Sequence, residues 1–190
     1  MATMITLPRN LYTNRLVLRK VHTKDLDLLV HWSTTPDAYG DFLSPEQFDR
    51  LEMEQRLNSD LYWSSREKLF IIEKRHDRPV GTIHYWLPAD KMATATVAVK
   101  IAEPAERNKG YGTEAQKFLL IYLFEKEKIR QVEMYTDLDN HPQQRCLRKL
   151  GFSLIETLTY DDRGIRRTGN YYRLDRRQYQ QHAIYRYHYE

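Results

Sequence analysis

Residues 94–113 read T-A-T-V-A-V-K-I-A-E-P-A-E-R-N-K-G-Y-G-T, and this stretch decides the fold. Residues 94–101 are rich in β-branched side chains and poor in charge, which predicts a central strand. Residues 107–112 form a loop with two glycines, and the apolar spacing over residues 114–128 predicts a long amphipathic helix. A helix that starts after such a loop presents unpaired N–H groups and the positive end of its dipole.

The loop has the composition of an anion-binding site. Gly110 and Gly112 let the main chain approach a phosphate closely, while Arg107 and Lys109 add positive charge. The Walker pattern and the dinucleotide-binding pattern G-x-G-x-x-G are both absent from the sequence. The loop therefore predicts a cradle for a pyrophosphate, and a glycine turn that only starts a helix remains the structural alternative.

The rest of the chain supplies the other elements of a layered fold. Predicted strands cover residues 15–19, 68–74, 80–86, 131–136, 153–160 and 170–174. Predicted helices cover residues 25–32 with Thr23 as N-cap, 45–57 with Phe48, Leu51 and Leu57 on one face, and 142–150 with Gly151 as C-cap. This order predicts an α/β fold: a mixed α+β sheet with helices on both faces, in a single domain over residues 1–190 with its core at about 12–180.

Composition excludes several classes of protein. At 190 residues, 41% hydrophobic and 12% aromatic, the chain is too apolar for a disordered protein and too polar for a membrane-spanning one. The single cysteine, Cys146, excludes an internal disulfide framework, and no metal-ligand spacing is present, so no metal site is expected. With no signal-peptide pattern at the start, the expectation is a cytoplasmic protein without a membrane partner.

Positive charge is concentrated at the C-terminus. The formal net charge is +4, but residues 1–144 carry −1 and residues 145–190 carry +5, together with seven of the 14 tyrosines. A basic, tyrosine-rich tail at residues 176–190 raises the possibility of nucleic-acid binding, because cations neutralise phosphate and rings stack on bases. The structural alternative is a terminal strand region with a solvated arginine face.

The sequence resembles the GNAT superfamily of acyl-CoA N-acyltransferases. R-N-K-G-Y-G at 107–112 matches the family's R/Q-x-x-G-x-G/A coenzyme A loop. N-H-P-Q-Q-R at 140–145, followed by L-R-K-L-G-F at 147–152, is similar to the family's N-x-x-S-x-R and E-K-x-G-F signature. R-L-V-L-R at 15–19, V-G-T-I at 80–83 and G-Y-G-T-E-A at 110–115 resemble the branch that acetylates N-terminal amines of ribosomal proteins.

The resemblance implies acetyl-CoA as the acetyl donor and assigns its contacts. Backbone amides of the loop would hold the pyrophosphate, at Arg107, Asn108, Lys109, Gly110, Tyr111, Gly112 and Thr113. Lys100, Ile101 and Ala102 would offer main-chain groups to the pantetheine arm, in a gap where the central strands of a mostly antiparallel sheet splay apart. A strand N–H near Lys100 or Ile101 would stabilise the oxyanion, and Asn140 would bond a pantetheine amide.

The sequence departs from the family where proton donors are expected. Leu147 stands where many members have tyrosine, and Gln143 where the ribosomal branch usually has serine. Three residues that alternate on one strand face are the candidates for the base, with a solvated strand face as the structural alternative: Glu133, Tyr135 and Asp137. His84 and Tyr85 are expected to line the acceptor groove and Tyr172 to close the site, with packing as the alternative for each, and Cys146 is interpreted as a small core residue.

The acceptor is expected to enter beside the two early helices. Aromatic and acidic side chains concentrate there, at Trp32, Tyr39, Asp41, Phe42, Tyr62 and Trp63, and either Asp41 or Glu46 would pair with a cationic amine. The expected function is direct transfer of acetyl from acetyl-CoA to a primary amine, on a protein N-terminus or a small molecule, in a ternary complex. A catalytically silent acetyl-CoA-binding module and a nucleic-acid-binding domain are the alternatives, and a monomer or a homodimer fits the sequence.

Overall fold

The computed structural model describes residues 10–47, 49–162 and 164–186. Its strands are β1 (Asn10–Tyr12), β2 (Leu16–Lys20), β3 (Glu67–Lys74), β4 (Pro79–Trp86), β5 (Thr94–Ile101), β6 (Gln131–Asp137), β7 (Ser153–Asp162) and β8 (Ile165–Asp175). Its helices are α1 (Leu26–Thr34), α2 (Pro36–Tyr39), α3 (Arg50–Asn58), α4 (Tyr111–Glu125), α5 (His141–Lys149) and α6 (Arg176–Gln181). Short 3-10 turns lie at Thr23–Asp25, Pro104–Glu106 and Ala183–Tyr185.

The strands form one sheet in the order β1-β2-β3-β4-β5-β6-β8-β7. Neighbouring strands are antiparallel except β5 and β6, which are parallel and pair only through residues 94–96 and 131–133. Beyond these residues β5 runs on to Ile101 and β6 to Asp137 without pairing to each other. The mostly antiparallel sheet and its opening at the predicted cofactor strand are therefore confirmed.

Helices cover both faces of the sheet. On one face, Leu119 and Leu123 of α4 and Leu147 of α5 pack into a core cluster with the strands. On the other face, Trp32 of α1 and Met53 of α3 belong to a second cluster. Burying apolar side chains on both faces stabilises the sheet, since each fully buried aliphatic side chain contributes about 1.5–3 kcal/mol.

Two predicted helix starts are wrong. The helix predicted over residues 45–57 begins at Arg50, because the Asp49 carboxylate accepts the N–H of Glu52 and caps it. Its buried residue is Met53, 3% exposed, while Leu51 is 63% exposed; Phe48 lies outside the described residues. Thr23 does not cap α1 and lies in a 3-10 turn, since the neighbouring carboxylate of Asp25 accepts the N–H of His22.

Over its described residues, the C-terminal segment packs against α4 and the end of α5. The Asp175 carboxylate accepts the N–H of Gln178 and starts α6. The ring of Tyr179 stacks on Phe124 with centroids 4.5 Å apart, and the Tyr185 hydroxyl donates to the carbonyl of Leu150 at 2.6 Å. Both tyrosines are buried, so neither offers a ring for stacking on a base. Across the described residues, no helix is long and apolar enough to cross a membrane.

Candidate active site

The divergence of β5 and β6 opens a cleft of about 1180 Å³ above the start of α4. Nine of the eleven predicted cofactor residues line it: Lys100, Ile101, Arg107, Asn108, Gly110, Tyr111, Gly112, Thr113 and Asn140. Ala102 and Lys109 do not line it. The N–H of Ala102 donates to the carbonyl of Val80, so this group is already used in the sheet.

The start of α4 fits an anion. Gly110 has a φ of +84°, the left-handed conformation that lets the chain turn into the helix. No side chain of the described residues caps α4, so the first N–H groups, including those of Gly112 and Thr113, have no helical partner. A Cβ on Gly112 would meet its nearest protein atom, on Ile101, only at 3.7 Å. Packing within the protein therefore does not require glycine at position 112, and the absence of a side chain leaves room on the cleft side.

Residues far apart in the sequence hold this helix start in place. The Glu114 carboxylate accepts hydrogen bonds from the backbone N–H of Arg15 at 2.9 Å, from its guanidinium at 2.7 Å and from the hydroxyl of Thr13 at 2.5 Å. Arg15 also donates to the carbonyl of Lys109. Burial alone would raise the pKa of Glu114, but these donors outweigh it and lower the pKa. The sequence predicted the strand at residues 15–19 and the helix at residues 114–128, but no sequence pattern indicated that the two are in contact.

The two cations of the loop are engaged within the protein. The Arg107 guanidinium donates to main-chain carbonyls of Ile101 at 2.9 Å, of Asp37 at 2.5 Å and of Ala38 at 3.1 Å. The ammonium group of Lys109 lies 3.0 Å from the Glu106 carboxylate. Arg107 thus ties the loop to β5 and to α2. The two positive charges that the sequence analysis assigned to pyrophosphate binding are therefore paired within the protein. The main chain of the loop is left to face the cleft.

A polar network closes the α5 side of the cleft. The side-chain oxygen of Asn140 accepts the N–H of Gln143 and caps α5. Gln143 donates to Gln116 at 2.7 Å, and Gln116 donates to the sulfur of Cys146 at 3.1 Å. Burial raises the pKa of the Cys146 thiol, so that the thiol stays protonated. Leu147 is fully buried in the core, and none of these groups is an acid of suitable strength.

The three predicted catalytic residues do not all lie in the cleft. Tyr135, 36% exposed, and Asp137 line the cleft, and Asp137 lies 3.4 Å from Arg167. Glu133, 2% exposed, does not line it. Its carboxylate accepts from Lys91 at 2.6 Å and from the hydroxyl of Tyr171 at 2.5 Å. The structure therefore brings two of the three residues to the cleft.

A second pocket of about 470 Å³ adjoins the cleft on the α1 and α3 side. Both cavities are lined by Tyr39, Leu43, Trp86, Ala98, Val99, Lys100 and Asp162. The pocket also holds Glu46 and a pair that the sequence did not indicate, in which His84 lies 2.9 Å from Glu67. The hydrogen bond from His84 lowers the pKa of Glu67, so this wall carries a carboxylate at neutral pH.

The other secondary candidates divide between the cavities and the core. Tyr39, Asp41 and Phe42 line the cleft, and Tyr62 lines the second pocket. The indole of Trp32 is buried and donates to Glu103, and Tyr172 is buried in the core. Tyr85, Trp63 and Tyr172 line neither cavity.

A sheet opened between a parallel strand pair, above an uncapped helix start and beside a second pocket, is suited to an enzyme that brings two substrates together. Comparison with known proteins identifies the family: the acetyltransferase (GNAT) domain matches residues 15–153, and the chain belongs to this family. It is an acyltransferase that moves an acetyl group to an amine. The family uses acetyl-CoA as its cosubstrate.

Individual relatives are distant in sequence. An uncharacterized N-acetyltransferase, p20, of Bacillus licheniformis is 25% identical over 146 residues, 75% of this chain and 81% of that protein. A putative ribosomal-protein-serine acetyltransferase of Vibrio cholerae has a TM-score of 0.68 at 23% identity, over 87% of this chain and 97% of that one. RimL, a ribosomal alpha-N-protein acetyltransferase in complex with coenzyme A, has a TM-score of 0.74 at 14% identity, over 87% and 97%.

Proposed function

We propose that the cleft between β5 and β6 binds acetyl-CoA and that the adjoining pocket receives a primary amine. The observation that carries this proposal is the divergence of the two strands directly above the uncapped start of α4. The N–H groups of residues 108–113 would hold the pyrophosphate, since the N–H of Arg107 donates to the carbonyl of Pro104. The end of β5 would pair with the pantetheine arm. Asn140 would contact a pantetheine amide. The coenzyme A complex of RimL supports the same use of the cleft.

The protein's own groups would orient the amine and accept its proton. Bound acetyl-CoA supplies an activated acetyl group, and the positioning of two reactants in adjoining cavities contributes much of the rate. An N–H at the end of β5, near Lys100 or Ile101, would stabilise charge on the carbonyl oxygen. Tyr135 and Asp137, which line the cleft, are the proposed proton acceptors, acting through water. Glu133 is the weaker candidate, because Lys91 and Tyr171 occupy its carboxylate.

The charges of the second pocket favour a cationic acceptor. Glu46, Glu67 and Asp162 line it, against the cations Arg56 and Lys100. An ammonium group would find carboxylates here before it loses a proton to become a nucleophile. We therefore propose a protein N-terminus or a small-molecule amine as acceptor. A cytoplasmic location remains a prediction from the single cysteine.

The test measures release of free thiol from acetyl-CoA with a panel of amines: an N-terminal peptide, a lysine peptide, a polyamine and an aminoglycoside. Gly112→Val should block release with every amine that the unaltered protein acetylates, since its side chain extends toward the cleft. Glu125→Val, at the exposed far end of α4, is the matched control and should retain activity. Absence of acceptor-dependent release with every amine, together with absence of coenzyme A binding by calorimetry, would contradict the proposal.

A further inference from the structure

The hydroxyl of Thr136 is buried in the cleft wall without a partner. Thr136 is 4% exposed and lines the cleft, and among the described residues its hydroxyl oxygen has no hydrogen-bond partner. Its cross-strand neighbour Asn170 accepts instead from Thr157 at 2.7 Å. A buried hydroxyl without a partner costs about 1–3 kcal/mol, so its retention beside a cleft points to a ligand atom that satisfies it.

Strand register places Thr136 at the opening between the strands. Residues 94–96 of β5 pair with residues 131–133 of β6, and the same offset would set Val99 opposite Thr136. The strands have separated at this point. Thr136 also shares its face of β6 with Val132 and Met134, which pack against α4 and α5. The side chain of Tyr135 lies on the opposite face of β6.

The α5 face lacks a hydroxyl at the two positions where the family resemblance implies one. Leu147 is fully buried and apolar, and Gln143 is engaged with Gln116. Transfer of an acetyl group breaks the bond between the carbonyl carbon and sulfur, and the electron pair of that bond remains on sulfur. The nitrogen of the amine bonds to the carbon and releases its proton to water. Negative charge thus develops on sulfur, where a hydrogen-bond donor would stabilise it.

We propose that the Thr136 hydroxyl donates a hydrogen bond to the sulfur of acetyl-CoA and of the coenzyme A thiolate that leaves. The hydroxyl keeps its own proton throughout and acts as a dipole, so the thiolate is protonated by solvent. This role rests on the proposed use of the cleft for acetyl-CoA. It makes Thr136 the residue that offsets the missing tyrosine and serine of α5.

The first test needs no ligand. Thr136→Val keeps the shape of the side chain and removes the unpaired hydroxyl, so the melting temperature of the free protein should rise by about 2–4 °C. Thr157→Val is the matched control, because it removes a hydroxyl that is hydrogen-bonded to Asn170 on the same face of the sheet. Its melting temperature should fall. A fall for Thr136→Val as well would overturn the proposal.

The second test compares the binding of coenzyme A with that of desulfo-coenzyme A by calorimetry. Thr136→Val should weaken coenzyme A binding roughly tenfold and desulfo-coenzyme A binding less than twofold. It should also lower kcat, and Thr136→Ser should restore both properties. Equal changes for the two ligands, or none for either, would overturn the contact with sulfur. If the unaltered protein binds neither ligand, the proposed function itself fails.

Discussion

At the scale of single residues, Gly110 is the position where backbone geometry and the proposed cofactor meet. Its φ of +84° disfavours any side chain, and a Cβ would lie 3.3 Å from the guanidinium of Arg15. Gly110→Ala should therefore destabilise the protein by about 1–2 kcal/mol and displace the N–H groups at the start of α4. We expect coenzyme A affinity, measured by calorimetry, to fall roughly tenfold, because charge-assisted hydrogen bonds are lost.

Gly164 provides the control for this substitution. It also has a positive φ, +79°, and it lies in the β7–β8 turn, where a Cβ would have no neighbouring atom within 4 Å. Gly164→Ala should lower the free energy of unfolding by a similar amount in urea titrations and leave coenzyme A affinity unchanged. Equal losses of affinity in both variants would mean that Gly110 acts only through global stability.

The sequence predicted which residues line the cleft at the start of α4 more readily than it predicted what their side chains contact. The spacing of Gly110 and Gly112 after a strand identified the loop, because local backbone requirements are written in adjacent residues. The partners of Arg107 on α2, and the absence of a partner for Thr136 among the described residues, depend on contacts between distant segments. Spacing contains no information on such contacts. The departures at Leu147 and Gln143 indicated only that a donor was missing.

At the scale of elements, Arg107 joins the loop to β5 and α2. Its guanidinium satisfies carbonyls of Ile101, Asp37 and Ala38, whereas Lys109 is half exposed and pairs only with Glu106 among the contacts described. Arg107→Ala should raise the Kd for coenzyme A roughly tenfold, because each unsatisfied carbonyl costs about 1–3 kcal/mol and loosens the loop. Arg107→Lys should not restore binding, since an ammonium group cannot reproduce the planar fork.

Lys109→Ala separates this structural role from simple attraction of an anion. An exposed ion pair contributes about 0–1 kcal/mol, so this variant should bind coenzyme A within about twofold of the unaltered protein. If Lys109→Ala weakens binding as much as Arg107→Ala, then net charge near the loop controls affinity and the tie to α2 does not. Calorimetric titrations at two salt concentrations distinguish these cases, because only an electrostatic contribution falls with salt.

Elements with strong local patterns were predicted best. The prediction for β5 over residues 94–101 is confirmed in full, since a run that is rich in β-branched side chains and poor in charge strongly favours a strand. β8 begins at Ile165, five residues before its predicted start. Pairing with β7 stabilises this polar stretch, in which polar and apolar residues do not clearly alternate. α3 was misplaced at its start, where the Asp49 cap outweighs the apolar spacing from which the helix was predicted.

At the scale of the whole molecule, ion pairs join the first strand pair to the helical layers. The Arg19 guanidinium, buried between β2 and the turn before α1, bonds to Asp25 at 2.7 and 2.9 Å and to Glu73 at 2.6 Å. Burial alone would raise the pKa of Asp25, but the hydrogen bonds from Arg19 and from the N–H of His22 outweigh it and lower the pKa. The same direction holds for the pKa values of Glu67, Glu106, Glu114 and Glu127.

These lowered pKa values make the fold sensitive to acid. A carboxylate whose pKa is lower in the folded state contributes stability that is complete above its unfolded pKa, near 4, and is lost as the pH falls through the folded value. The free energy of unfolding should therefore decrease steadily from about pH 5 toward pH 2. Three of these carboxylates, Glu106, Glu114 and Glu127, join segments that lie far apart in the chain. The loss should therefore be cooperative in urea titrations followed by circular dichroism.

Asp25→Asn isolates one of these contributions. At pH 7 the variant should be less stable by about 3 kcal/mol, because it leaves the buried Arg19 without its bidentate partner. The difference from the unaltered protein should shrink as the pH falls toward 3, since protonation of Asp25 removes the same charge. Asp60→Asn is the control: the Asp60 side chain is 74% exposed and lies 3.7 Å from Lys20, so its effect should stay below about 0.5 kcal/mol. A penalty for Asp25→Asn that is as large at pH 3 as at pH 7 would show that shape, and not the ionised pair, stabilises this junction.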